Sequence, residues 1–141
     1  GSFGSGKTYL IAAAFNELAK ENVKSAVVYW PEFLRSIKGS FSTDFNERME
    51  SIKRIKLLLI DDIGAENSTA WARDEILGPI LQYRMQEKLP TFFTSNLSIK
   101  ELEQHFALTK DNVDVLKAKR IIERIDQLTD KVELVSKNLR K

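Results

Sequence analysis

Apolar residues recur at helical spacing from Thr8 to about Lys20, where Leu10, Ile11, Ala14, Phe15 and Leu18 define one face able to pack on a sheet. Within Ser25–Trp30 the run Ala26-Val27-Val28-Tyr29 is short and β-prone and predicts a strand. Pro31 then stands where the first turn of a helix tolerates proline. Phe33, Leu34 and Ile37 continue that helix, Gly39–Thr43 breaks it, and Phe45, Met49 and Ile52 predict another that ends at the basic pair Lys53-Arg54. Ile55–Asp62 follows, with Leu57-Leu58-Leu59-Ile60 apolar on both faces, as a central parallel strand covered on both sides must be. It ends in two acids.

Thr69 to about Glu87 reads as a long helix with Ile76, Leu77, Ile80, Leu81 and Met85 inward, and Gly78-Pro79 must kink or divide it. Pro90–Asn96 holds a further strand, Thr91-Phe92-Phe93-Thr94, with the polar exit Ser95-Asn96. Ser98 and Glu101 form a capping-box pattern that opens the next helix. Beyond the polar stretch Thr109–Asp114, Leu116, Ile121, Ile125 and Leu128 predict another helix, and Lys131–Val135 a last strand. Alternation of strands and helices predicts an α/β fold, a parallel sheet with helices on both faces, without internal repeat or low-complexity linker.

The 141 residues match one ordinary domain with a single core. Hydrophobic residues at 43% and charged residues at 30% are the balance of a soluble globular chain. No apolar run approaches the roughly 18 residues that span a bilayer, and no signal peptide is visible, so a cytoplasmic protein without a membrane partner is expected. The absence of cysteine removes disulfides and thiolate sites, and one histidine, His105, cannot build a zinc site. His105 is expected on a helix surface. Any metal must be held by oxygen, which suits magnesium. A net charge of +2 is too small to argue for nucleic acid, so DNA binding must rest on local features.

Gly1-Ser2-Phe3-Gly4-Ser5-Gly6-Lys7-Thr8 matches G-x-x-x-x-G-K-[ST] without a mismatch. Such glycines let successive backbone N–H groups curl around a β-phosphate at a helix N-terminus. Lys7 is expected to reach the β- and γ-phosphates and the Thr8 hydroxyl to ligate magnesium, with Tyr9 completing the nucleotide-binding run. Because a buried strand normally precedes such a loop, the chain is expected to be truncated at its start, with at least one strand upstream. Asp61 ends the apolar strand and is the expected second magnesium partner. Asp62 can polarise an attacking water as general base. Glutamate usually fills that role, and aspartate is one methylene shorter, so Glu66 or Glu75 could substitute. Asn96 ends the next strand, at the same carboxyl edge as Asp61, where its amide can orient the lytic water or touch the γ-phosphate. A helix cap or turn role is its alternative.

The order of P-loop, acidic strand and polar strand end is that of the AAA+ ATPases. Four stretches narrow the match: Leu59–Glu66, Arg73–Leu77 through Gln82-Tyr83-Arg84, Pro90–Asn96 and Lys117–Ile125. Together, and over nearly the whole chain, they closely resemble the bacterial primosomal helicase loaders, with DnaC-type loaders and the transposition helper IstB as nearest relatives. The resemblance implies an AAA+ ATPase that uses ATP and Mg2+ and helps place the hexameric replicative helicase on single-stranded DNA. It also implies a helicase-binding domain upstream.

In that family an arginine from one subunit completes the nucleotide site of its neighbour. The matching position is Arg124, with Arg120 one turn earlier on the same helical face, so self-assembly through Arg124 in trans is implied. Their alternative is a solvated face beside Glu123 and Asp126. Arg140 matches a terminal arginine that faces nucleotide from its own subunit. With the last strand candidate close to the end of the sequence, no C-terminal helical lid is expected. Pro31–Lys38 and the loop after it match an insertion that lines the strand-binding channel, so Arg35, Lys38 and Phe41 are DNA candidates by charge neutralisation and base stacking. Ordinary surface for the charges and core for Phe41 is the alternative. Two further functions share these motifs, a transposition helper ATPase and a catalytically silent nucleotide-binding module. A small-molecule kinase is disfavoured, because no acceptor pocket or lid arginines are visible.

Overall fold

The computed structural model describes residues 7–129, with the side chains of Lys7 and Thr8 excepted. Gly1–Gly6 of the P-loop, the strand predicted at Lys131–Val135, and Arg140 lie outside the described residues. Three strands, β1 (Ser25–Tyr29), β2 (Leu57–Asp61) and β3 (Thr91–Phe93), form a parallel sheet in the order β1-β2-β3. Among the described residues, six α-helices flank it: α1 (Lys7–Ala19), α2 (Trp30–Lys38), α3 (Ser42–Arg54), α4 (Gly78–Gln86), α5 (Ile99–Ala107) and α6 (Val115–Leu128).

The four apolar residues of β2 explain its central place. Leu57 and Leu59 pack with Phe15 of α1, supported by Ile11 and Leu18. Leu58 and Ile60 point the other way, into the main core with Trp30, Phe33, Ile76, Ile80 and Ile121. Each such side chain, fully withdrawn from water, contributes about 1.5–3 kcal/mol. Helix α1 meets the sheet through Ile11, Phe15 and Leu18, whereas Leu10, expected on the same face, is half exposed at 50%. Its neighbours at i, i+4 and i+7 already fill the contact. Leu116, expected inward on α6, is likewise exposed, and Ala118, Ile121 and Ile125 supply the buried face.

The predicted kink at Gly78-Pro79 takes another form. The chain is helical without a break over 70–86, and the segment Ala72–Leu77 is a π-helix. The Gly78 N–H donates to the Arg73 carbonyl, five residues back, so the helix widens just before Pro79, whose ring and missing N–H would disrupt regular α-geometry. A Cβ at position 78 would stand 3.3 Å from the Arg73 carbonyl oxygen. The capping box at Ser98 and Glu101 forms as predicted, and Asp114 caps α6 by accepting from the Lys117 N–H.

Arg84 of α4 is completely buried at the amino ends of the strands. Its guanidinium donates to Thr91 Oγ1 (2.8 Å) and to the carbonyls of Ile55 (2.6 Å), Lys53 (3.0 Å) and Pro90 (2.8 Å), with longer contacts to Ile52 and Lys56. Desolvation pushes its pKa down to about 10, which leaves it protonated at neutral pH. The last carbonyls of α3, at the negative end of that helix, help to neutralise it. Among the described residues no helix is long and apolar enough to cross a membrane.

Candidate functional site

At the carboxyl edge of the sheet, β2 delivers Asp61 and the chain turns sharply at Asp62, a non-glycine residue with φ 60°. The register pairs Ile60 with Phe93, so the residues leaving β2 and β3 stand side by side. Thr94 ties the two exits together. Its hydroxyl donates to Asp61 Oδ1 and accepts from the Asp62 N–H (2.9 Å). Its backbone N–H donates to the Ile60 carbonyl (3.1 Å), and its carbonyl accepts from the Ile63 N–H (2.9 Å). From β1, which pairs Tyr29 with Asp61, the Tyr29 hydroxyl donates to Asp62 Oδ2 (3.3 Å). Partial desolvation and the adjacent Asp62 carboxylate raise the Tyr29 pKa above its ordinary value. Both acids are half-buried, and Asn96, three residues past β3, is exposed at the same edge.

The loop after the acids is closed by Gly64, Ser95 and Glu66. Gly64 has φ +99°, and a Cβ there would approach Leu97 Cδ1 to 2.8 Å, so only glycine fits. Ser95 Oγ donates to the Ile63 carbonyl (2.6 Å). Glu66, an alternative base, accepts instead from the Gly64 N–H (2.8 Å) and lies 3.2 Å from His105 Nε2. His105 is therefore not the surface residue expected. It is half-buried, with its ring edge-on to Phe106, because the Glu66 carboxylate reaches over α5 to meet it. Glu75 is exposed on the π-helical segment.

Lys7 and Thr8 open α1 by their backbone, and Tyr9 is 76% exposed. Arg124 is half-buried and Arg120 exposed on α6, which packs on α4 and α5, and among the described residues neither makes a salt bridge. Arg35 pairs with Glu32 at 3.1 Å, Lys38 is exposed, and Phe41 is 88% exposed just before α3, so the core alternative for Phe41 is excluded. Thr94 and Tyr29 are the site residues that sequence reasoning missed. The available signal was positional, since Tyr29 ends β1 and Thr94 directly follows β3, the two strands that flank β2.

Among the described residues no three His, Cys, Asp or Glu side chains gather into a metal-binding cluster. The acid pair offers oxygen alone. That donor set fits Mg2+, which keeps several waters and takes one or two carboxylates together with phosphate oxygens.

The G-x-x-x-x-G-K-T run of the sequence, together with a parallel sheet whose central strand ends in an acid pair, fits the P-loop class of α/β folds. No protein-family model matches the chain. The replicative helicase loader DnaI of Bacillus subtilis (strain 168) is 44% identical over 142 residues, which cover 99% of this chain and 46% of that protein. This chain thus spans about half the length of that curated relative. A crystal structure of DnaI superposes with a TM-score of 0.83 at 49% identity, covering 99% of this chain and 70% of that one. The chain belongs to the DnaI family. A crystal structure of the DnaC helicase loader shares the fold, with a TM-score of 0.67 at 20% identity over 92% of this chain and 72% of that one.

Proposed function

We propose that this chain is the ATP-binding and hydrolysing AAA+ domain of a cytoplasmic helicase loader, acting as a nucleotide-controlled switch during replication initiation or restart. The observation that carries this reading is the pair Asp61-Asp62 at the exit of the central parallel strand, tied through Thr94 to the strand exit that bears Asn96. Gly1–Thr8 and Tyr9 bind the phosphates, with Lys7 neutralising their charge and the Thr8 hydroxyl and Asp61 holding Mg2+. Bound Mg2+ would supply charge neutralisation to the nucleotide phosphates. Asp62 accepts a proton from the attacking water, and Asn96 orients that water. Arg124 stabilises charge on the nucleotide of a neighbouring copy, so hydrolysis is conditional on assembly.

The matched relative's name, replicative helicase loader, supports a replicative helicase as partner. Single-stranded DNA is the second partner, contacted by Lys38, Arg35 and the exposed ring of Phe41. ATP turnover measured with and without single-stranded DNA tests the enzyme. Mixing Arg124→Ala with Lys7→Ala tests the assembly. Partial recovery of the activity that each variant lacks alone is expected, and no recovery removes the trans role of Arg124.

A further inference from the structure

We infer that Thr94 is a positioning residue whose single hydroxyl sets the directions of both acids, Asp61 and Asp62, and so governs magnesium affinity. This rests on the nucleotide-binding reading above.

A hydroxyl has one proton and two lone pairs. Here a lone pair is taken by the Asp62 N–H, at 2.9 Å, and the proton goes to Asp61 Oδ1. The two bonds are therefore linked: the strand exit that presents its N–H to Thr94 orients the hydroxyl that grips the carboxylate one residue earlier. Thr94 is only 3% exposed, so water does not compete for either bond. Branching at Cβ restricts its rotamer, and its backbone is fixed on both sides by the Ile60 carbonyl and the Ile63 N–H. Between those anchors sits Asp62 at φ 60°, a conformation uncommon for a residue with a side chain. The Asp62 and Ile63 N–H groups both end on Thr94, which holds that turn and keeps the Asp62 carboxylate within reach of Tyr29. An ionised carboxylate has about four lone-pair positions, so a bond from Thr94 to Asp61 Oδ1 does not by itself exclude magnesium coordination. Hydrogen bonds to a metal ligand commonly set metal affinity by about 10–100-fold.

The test compares Thr94→Val, nearly the same shape without a hydroxyl, with Thr94→Ser, which keeps the hydroxyl, in the intact protein. A fluorescent ADP analogue is titrated first without metal and then with Mg2+, and unfolding midpoints are recorded in parallel. Thr94→Val is expected to bind ADP without metal as the parent does and to need about 10–100-fold more Mg2+. Thr94→Ser should stay within about threefold of the parent in Mg2+ requirement. A Thr94→Val protein with a lowered midpoint and unchanged Mg2+ dependence overturns the inference, since Thr94 is then structural alone. So does a Thr94→Ser protein as impaired as Thr94→Val. Should the valine variant fail to fold, Thr94→Ala against Thr94→Ser carries the same comparison. A parent protein that binds no ADP at any Mg2+ concentration sinks the nucleotide reading itself, a result distinct from either.

Discussion

The two ends of the sheet treat charge in opposite ways. At the amino end Arg84 is fully withdrawn from water and met by carbonyls from the end of α3 and the entries to β2 and β3, with Thr91 completing the set. At the carboxyl end Asp61 and Asp62 stay half-buried, steered by Thr94 and Tyr29 rather than enclosed. Burying an ion costs several kcal/mol unless its partners are supplied by the fold, so the saturated guanidinium serves architecture. Charges left facing solvent in a constrained direction keep their field for a ligand. A mutation at one end should therefore be read out as stability, and at the other as chemistry.

Removing Arg84 breaks the contrast most severely. Arg84→Met strands buried carbonyls and the Thr91 hydroxyl, and a loss of about 3 kcal/mol or more is expected in urea unfolding. Arg84→Lys should recover only part of it, since three donors replace five in a different geometry. At the other end, Asp61→Asn should lower Mg-dependent ATP turnover on the order of 100-fold while leaving the unfolding midpoint nearly unchanged. A large stability loss in that variant would erase the distinction between the two edges.

Asp74 sharpens the comparison with a pair of intermediate character. The bidentate bond from buried Arg73, helped by Lys117, holds the Asp74 carboxyl below its usual range. A depressed folded pKa gives stability that is present above the unfolded value, near pH 4, and is lost as pH falls through the folded one. Asp74→Asn should therefore cost about 2 kcal/mol at pH 7, and the gap from the parent should close in acid as the pH falls through the depressed Asp74 pKa. A gap independent of pH would show that charge is not its source. The smallest effect belongs to Tyr29→Phe, which removes one long hydrogen bond at an exposed edge and should leave the melting temperature within about 2 °C. A larger fall would mean that Tyr29 supports the fold and does not merely steer Asp62.

The regions legible in the sequence are those where local pattern and burial agree. Leu57–Ile60 reads as a strand apolar on both faces and is one, and Ser98 with Glu101 forms the capping box that their spacing announces. Asp61 and Asp62 stand at the predicted strand exit because the apolar run ends there. Departures arise where a distant segment decides. The π-helical turn before Pro79 follows from fitting a proline into a helix that packs on both sides, which a motif count reports only as a kink. His105 looks like a surface residue until Glu66, 39 positions away, meets it. Arg84 resembles any helix-surface arginine until three chain segments aim their carbonyls at it.

The sequence by itself determined the three described strands, most of the described helices, the parallel arrangement, the P-loop motif and the acid pair, because hydrophobic period and glycine spacing are properties of neighbouring residues. Only the tertiary structure decided how those acids are aimed and which arginine is structural. Hydrogen bonds from Thr94 to Asp61 and from Arg84 to the strand entries join residues about thirty positions apart, and their geometry exists only once the strands lie in register.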